Sequence, residues 1–205
     1  MTIDHRFVVF EGLPGSGKTT ITRILSDKES FLRIPEILGG DFQEVLSDCL
    51  FKESNLFYLQ SDFRKYTMAH KIIRETSLVP IMDRGYVSTL AYNYVQKESP
   101  LNFHATRKWI HENSETFIEP YSYIFLDIDV SLCNSRKKRK EDTQRTWMND
   151  ETLRKTKKYY DSFFEKISPK TKVFHVDANR SLHLVLEDVI RFLSFEFNKQ
   201  IGIKI

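Results

Sequence analysis

Cysteine is scarce in this chain of 205 residues, which contains only Cys49 and Cys133. The two lie far apart and match neither a disulfide framework nor the paired spacing of metal ligands. Proline and glycine are also few, at six and seven residues, and no segment rich in proline, glycine or serine divides the chain. We therefore expect one domain over residues 1–205, in a reducing compartment such as the cytoplasm.

Long hydrophobic runs are missing as well. No apolar segment approaches the roughly 20 residues that cross a bilayer. No basic segment followed by an apolar one precedes Phe7, so the sequence predicts neither a membrane span nor a secretion leader.

Neither sign of charge dominates, because 31 Lys and Arg residues against 28 Asp and Glu residues leave a formal net charge of +3. So small an excess argues against nucleic acid as a partner, although it allows a local basic pocket for phosphates. Hydrophobic residues make up 40% of the chain and aromatic ones 13%, which is enough apolar surface for a globular core. The composition leaves open whether the domain acts alone or as a homodimer.

Five short segments rich in β-branched and aromatic residues have the pattern of buried strands, with stretches of helical period between them. The strand segments are residues 6–10, 31–34, 78–82, 123–126 and 172–176. The main helical stretches are Val45–Thr76, Val87–Val95, Thr106–Ile118, Leu153–Ile167 and Leu182–Phe197. Strands that alternate with helices predict a parallel sheet covered on both faces, because the crossover helices occupy those faces.

The segment Gly12–Thr19 carries the strongest chemical signal, because it satisfies the P-loop pattern of two glycines around four residues, then Lys and a hydroxyl residue. It follows a buried strand and opens a helix, as the pattern requires. The glycines let backbone N–H groups wrap phosphates, Lys18 bridges the β and γ phosphates of ATP, and Thr19 ligates Mg²⁺. The predicted ATP-binding residues of the loop are Gly12, Leu13, Pro14, Gly15, Ser16, Gly17, Lys18, Thr19 and Thr20.

Several classes of protein share this loop, and two further features discriminate among them. A regulatory GTPase carries an Asn-Lys-x-Asp guanine reader, whereas the only Asn-Lys pair here, Asn198 and Lys199, is followed by Gln200. A motor ATPase normally has a longer chain and a strand that ends in adjacent acidic residues, but here the third strand ends in Asp83 and Arg84. An acid beside a base suggests that Asp83 lies near the metal and Arg84 points to an anionic group.

Three segments, Phe10–Thr20, Asp83–Asn93 and Val176–Ala178, resemble the thymidylate kinase family and its deoxynucleoside kinase relatives. The resemblance covers most of the chain in order. It implies an α/β fold, the three-layer P-loop NTPase fold with a five-stranded parallel sheet, helices on both faces and a small lid. It also implies Mg²⁺-dependent phosphoryl transfer from ATP, with Asp83 and Arg84 at the metal and the phosphoryl group.

The resemblance implies an acceptor side of the site as well. The segment Leu56–Arg64 looks like the family's substrate-side helix, which ends in an arginine, with one residue inserted between Asp62 and Arg64. Ser88, Tyr92 and Asn93 fall on the family's Ser-x-x-Ala-Tyr-Gln segment, with Asn93 where glutamine is usual. The implied substrate-binding residues are Glu36, Phe57, Gln60, Arg64, Arg84, Tyr92 and Asn93.

A highly charged and apolar-poor run follows the fourth strand segment, at residues 135–145. Taken alone, such a run fits a solvated helix face. Beside a P-loop it resembles the family's lid, here near residues 135–148, whose cations close over the donor phosphates. We expect Arg136 and Arg139 to act in catalysis and Arg145 to bind ATP.

The acceptor itself stays open between a nucleoside monophosphate and a deoxynucleoside. Thymidylate kinases usually show Arg-Glu-Pro after the second strand, whereas this chain has Glu36 without that arginine, closer to the deoxynucleoside kinases. A lone carboxylate could take the proton of a 5′-hydroxyl, as nucleoside phosphorylation requires, but the segment Asp83–Tyr86 is nearer the thymidylate kinase form. The alternatives are a P-loop ATPase or switch without a small-molecule acceptor, and a kinase of another hydroxyl compound or a polynucleotide 5′-hydroxyl.

Overall fold

All five strands that the sequence predicts are present in the computed structural model, which describes residues 5–38, 51–95, 100–138 and 149–201. The strands are β1 Val8–Gly12, β2 Phe31–Ile34, β3 Val79–Asp83, β4 Ser122–Asp127 and β5 Lys172–Asp177. The helices are α1 Lys18–Ser26, α2 Phe51–Glu75, α3 Tyr86–Val95, α4 Pro100–Glu112, α5 Val130–Lys138, α6 Asp150–Phe164 and α7 Leu182–Ile201.

The sheet is parallel throughout and has the strand order β2-β3-β1-β4-β5. Phe10 of β1 is in register with Asp83 of β3, and Gly12 with Leu126 of β4. The carboxyl ends of the three central strands therefore meet at one edge, where open α/β sheets collect their ligand-binding residues. This edge holds the P-loop and the acid–base pair that the sequence singles out.

Two apolar clusters, one on each face of the sheet, form the core of the described residues. Along β1, Val9 belongs to a cluster with residues of α2, α3 and the carboxyl end of α6. Val8 and Phe10 belong to the other cluster, with residues of α1 and α7. Successive strand residues point to opposite faces, so a fully buried strand needs helices on both sides. The predicted three-layer architecture is confirmed.

The helix α4 differs from the sequence prediction, which places its end at Ile118. The structure ends it at Glu112, and a turn follows in which the backbone N–H of Asn113 still bonds to Trp109. Phe117 is buried because its ring packs edge-on against Tyr66, Tyr86 and Trp109, at centroid distances of 5.2–5.7 Å. The helical spacing of apolar residues therefore continues past Glu112 because the turn after α4 also buries its side chains.

The helix α5 has no counterpart among the predicted helical stretches, and the first residues of the predicted lid belong to it. Arg136 lies in α5, whereas Arg139, Arg145 and the rest of the lid lie outside the described residues. Among the described helices, none combines the length and apolar character needed to cross a membrane.

Candidate active site

The P-loop folds as predicted, because its glycines adopt backbone angles that other residues rarely reach. Gly12 has φ of 142°, and a Cβ atom there would lie 2.5 Å from the carbonyl oxygen of Leu126. Gly15 has φ of 81° and lies against α5, where a Cβ would meet the carbonyl oxygen of Cys133 at 3.1 Å. A side chain at Gly12 would therefore collide with the backbone of β4, and one at Gly15 would be crowded by the backbone of α5 in a conformation that favours glycine. The loop ends at α1, whose N-terminus favours anions.

Lys18 turns back into the loop from the first residue of α1. Its Nζ donates to the carbonyl oxygens of Gly12 at 2.9 Å and Leu13 at 2.8 Å, and to the hydroxyl of Ser16 at 3.0 Å. Burial, with the nearby Arg84 cation, lowers the pKa of Lys18 from 10.5 to about 7. An anion that entered the loop would favour the charged ammonium, because an opposite charge offsets the desolvation.

Asp83 lies at the end of β3 and is fully buried. Its Oδ2 accepts from Arg33 at 3.1 Å, and Arg33 also donates from Nε to the hydroxyl of Thr22 in α1 at 3.0 Å. Its Oδ1 is buried without a hydrogen-bond partner. A buried carboxylate oxygen with no donor fits a hard cation such as Mg²⁺. Among the described residues, no group of three or more His, Cys, Asp or Glu side chains could hold a metal ion.

Arg84 adopts the left-handed backbone conformation, with φ of 65°, and is the one non-glycine residue to do so in the described chain. Its backbone N–H bonds to Phe10 at 3.0 Å. Its Nη1 donates to the carbonyl oxygen of Gly12 at 3.0 Å and to the Ser88 hydroxyl at 2.9 Å. Its Nε lies 2.9 Å from Oε1 of Glu36. One guanidinium thus connects the P-loop to the predicted acceptor side.

Glu11 is a residue of this site that the sequence analysis missed. It is fully buried in β1, and its Oε1 accepts from the backbone N–H groups of Gly85 at 2.9 Å and Ser88 at 3.3 Å. Its Oε2 accepts from the hydroxyls of Ser88 and Tyr160. Burial raises the pKa of Glu11, whereas the Arg84 cation and the hydrogen bonds from Ser88 and Gly85 act to lower it. An acidic residue in an apolar strand, directly before the first loop glycine, was the available signal.

The structure brings three of the predicted acceptor-side residues together. Glu36 pairs with Arg84, and the Arg84 Cζ lies 5.5 Å from the centroid of the Tyr92 ring. The Glu36 side chain is 45% exposed, whereas Arg84 is buried, so the carboxylate is the solvent-facing end of the pair. Asn93 is directed elsewhere: its Nδ2 donates to the hydroxyl of Thr106 in α4 at 3.0 Å.

Three further predicted substrate residues lie on α2. Phe57 is buried, with its ring edge-on to Tyr58 at 5.3 Å, and Gln60 and Arg64 are exposed one turn apart. Their substrate contacts stay predictions. Residues one turn apart share a helix face, so Gln60 and Arg64 present one polar strip.

Arg136, the described member of the predicted lid arginines, lies beside the P-loop. Its Nη1 donates to the carbonyl oxygen of Gly15 at 3.3 Å and its Nη2 to that of Arg180 at 3.4 Å. The α5 arginine therefore bridges the phosphate loop and the segment after β5.

The parallel sheet, the P-loop at its carboxyl edge and the Arg84–Glu36 pair beside it define a P-loop phosphotransferase. A family model described as thymidylate kinase matches residues 10–189. The chain belongs to the thymidylate kinase family. It is a nucleotide or nucleoside kinase, which transfers a phosphoryl group from ATP to such an acceptor.

Curated relatives agree with this family over most of the chain. A probable thymidylate kinase of Sulfolobus acidocaldarius is 26% identical over an alignment 190 residues long, which covers 88% of this chain and 92% of the relative. The thymidylate kinase of Leptospira interrogans is 26% identical over an alignment 203 residues long, which covers 90% of this chain and 91% of the relative. Among solved structures, deoxyadenosine kinase from M. mycoides with bound dATP matches with a TM-score of 0.72 at 17% identity, covering 91% of this chain and 98% of that one. This structural likeness confirms the fold.

Proposed function

We propose that this kinase phosphorylates the 5′-hydroxyl of a deoxynucleoside, with Glu36 as the general base. The observation that carries the proposal is the Glu36–Arg84 pair, 2.9 Å apart, with the carboxylate facing solvent. A hydroxyl acceptor must lose a proton as its oxygen attacks, and a carboxylate within hydrogen-bond reach can take that proton. The arginine that precedes this glutamate in thymidylate kinases is absent, which removes one cation for an acceptor phosphate.

Each charged group then has one task in the transfer. The acceptor oxygen forms a bond to the γ phosphorus of ATP, the bond from that phosphorus to the β–γ bridging oxygen breaks, and ADP leaves. The 5′-hydroxyl proton passes to an oxygen of Glu36 and then to solvent. Lys18 and Arg84 supply fixed positive charge on two sides of the transferred group, where negative charge must be stabilised.

Asp83 and Thr19 are the residues that we propose to hold Mg²⁺. The unpartnered Oδ1 of Asp83 supports the assignment, and Thr19 occupies the hydroxyl position of the P-loop pattern. When bound with ATP, the ion would neutralise charge on the β and γ phosphates. Arg33 holds the other Asp83 oxygen and so fixes the carboxylate.

A nucleoside monophosphate acceptor is the second candidate, favoured by the similarity to one thymidylate kinase and two probable thymidylate kinases. In that reaction the acceptor oxygen is already anionic and needs no base. Arg84 would then contact the acceptor phosphate, and Glu36 would orient the guanidinium.

A cytoplasmic location and a homodimer are further proposals, which fractionation of cells and light scattering would test.

The experiment that tests the proposal measures ADP formation against a panel of deoxynucleosides and their 5′-monophosphates, for the wild type and for Glu36→Gln. We expect a deoxynucleoside to be phosphorylated, and Glu36→Gln to lower its kcat by about 100-fold or more while the KM for ATP stays unchanged. Glu75→Gln is the matched control, because Glu75 is an exposed carboxylate paired with Lys71 at the end of α2. Turnover with monophosphates alone, or deoxynucleoside turnover that is indifferent to Glu36→Gln, would overturn the proposal.

A further inference from the structure

Lys65 of α2 has a buried amino group with a specific target. Its side chain is 2% exposed, and its Nζ donates to the backbone carbonyl oxygen of Arg84 at 2.9 Å. The same Nζ pairs with Oδ1 of Asp62 at 2.7 Å, and Oδ2 of Asp62 accepts from the Thr89 hydroxyl at 2.6 Å. These contacts form one buried polar network that joins α2, the residue directly after β3, and α3.

A buried ion pair contributes little to the free energy of unfolding, because well-packed apolar side chains at the same positions often stabilise a protein equally well. The carbonyl that Lys65 holds belongs to the residue with a left-handed backbone. That conformation is unfavourable for a non-glycine residue and persists only when its surroundings hold it. The backbone N–H of Arg84 is held by Phe10, so the network fixes the other end of the same residue.

The backbone of Arg84 decides where its guanidinium points. In the left-handed conformation the side chain reaches Gly12 of the P-loop on one side and Glu36 on the other. In an extended conformation the same Cα would direct the side chain elsewhere, because φ and ψ set the direction of Cβ. The Lys65 amino group therefore holds the backbone of Arg84, which lies 19 residues further along the chain, and through it the direction of the Arg84 side chain.

We infer that Lys65, anchored by Asp62 and Thr89, is a positioning residue for phosphoryl transfer. It holds the main chain of Arg84 in the left-handed conformation and thereby keeps the guanidinium between the P-loop and Glu36. The inference rests on the kinase activity and on the role of Arg84 in it. It holds for either acceptor, so it is independent of the base assigned to Glu36.

The test is a double-mutant cycle between Lys65→Met and Arg84→Ala, with the neutralised pair Lys65→Met/Asp62→Asn as a second variant that leaves no buried carboxylate unpaired. We expect Lys65→Met to lower kcat by about tenfold or more when Arg84 is present, since small misplacements of a catalytic group cost up to 100-fold. In the Arg84→Ala background the same change should cost less than about twofold, because coupled residues are not additive. The KM for ATP should stay unchanged.

Lys71→Met is the matched control, because Lys71 lies on the same helix but is 65% exposed and pairs with Glu75 at the surface. It should match the wild type in kcat and in unfolding midpoint. A purely structural role for Lys65 predicts the same fractional loss in both backgrounds, parallel to the loss of folded protein, and that result would overturn the inference. So would unchanged kcat in Lys65→Met/Asp62→Asn. If Arg84→Ala alone kept full activity, the role of Arg84 would be wrong, and this outcome is distinguishable from failure of the Glu36 proposal.

Discussion

Lys18 and Glu11 show what single residues contribute to this site, because both place an ionisable group in the interior. Burial lowers the pKa of Lys18 and raises that of Glu11, so both shifts disfavour the charged forms. The protein surrounds them with polar partners: loop oxygens for Lys18, and the donors of Gly85 and Ser88 for Glu11. Such arrangements cluster at functional sites.

Replacing Lys18 tests the assignment of the P-loop to catalysis. Lys18→Ala removes the positive charge that we predict to bind the ATP phosphates, so we expect turnover to fall by about 100-fold or more with an unchanged circular dichroism spectrum. Lys28→Ala is the control, since Lys28 is an exposed lysine just after α1. Near wild-type kinase activity in purified Lys18→Ala would contradict the assignment.

At the scale of elements, α5 connects the phosphate loop to the segment that the sequence predicts as a lid. The helix packs closely on the loop, because a Cβ atom at Gly15 would lie only 3.1 Å from the carbonyl oxygen of Cys133. Arg136 adds a hydrogen bond from α5 to the same glycine. Movement of α5 would therefore be transmitted to the loop.

The predicted lid makes a kinetic prediction for this element. A charge brought close to the phosphates in a water-poor site stabilises the transition state, whereas an exposed charge contributes little to folding. Single replacements of Arg136, Arg139 and Arg145 by alanine should therefore lower kcat or raise the KM for ATP. We expect small changes in unfolding midpoint for Arg139→Ala and Arg145→Ala, and a larger decrease for Arg136→Ala, because Arg136 is half-buried and donates to Gly15 and Arg180.

The control for the lid series is Arg191→Ala, because Arg191 is a 72% exposed arginine of α7 that pairs with Glu187. It should leave both kinetics and stability unchanged. If all three lid variants behaved like Arg191→Ala, the run of charges would be a solvated helix surface and the lid prediction would be wrong.

At the scale of the whole molecule, the buried Lys18 links folding stability to pH. Folding lowers the pKa of Lys18 from 10.5 to about 7, mainly through burial. Between these values the unfolded chain binds more protons than the folded one at this residue, so its contribution to the free energy of unfolding rises with pH.

Urea unfolding of the nucleotide-free wild type and of Lys18→Met between pH 7 and pH 9.5 measures this linkage. We expect the wild-type free energy of unfolding, minus that of the variant, to rise by up to about 1.4 kcal/mol per pH unit. ATP should oppose the trend, because its phosphates favour the charged ammonium. A difference that is flat or falls with pH would show that Lys18 keeps an ordinary pKa in the folded protein.

Most of the architecture could be predicted from the sequence, because its determinants are local. The strands are short apolar runs, and β2 is found at Phe31–Ile34, as the pattern predicts. The P-loop glycines and Lys18 are adjacent in the chain, so their spacing alone specifies the loop. At Phe117 the helical spacing of apolar residues comes from burial in a turn. The spacing therefore predicts an α4 that extends to Ile118, whereas the helix ends at Glu112.

The connections across the site were decided by the tertiary structure alone. Glu36 meets Arg84 because β2 and β3 are neighbours in the sheet, and Lys65 meets the carbonyl of Arg84 because α2 packs on β3. The left-handed backbone of Arg84 has no local sequence signature. The position of Glu11 in an apolar strand signals its burial, but its partners Gly85 and Ser88 are distant in the chain. The sequence therefore determined the fold class and the phosphate-binding loop, whereas packing determined which charged side chains lie together beside that loop.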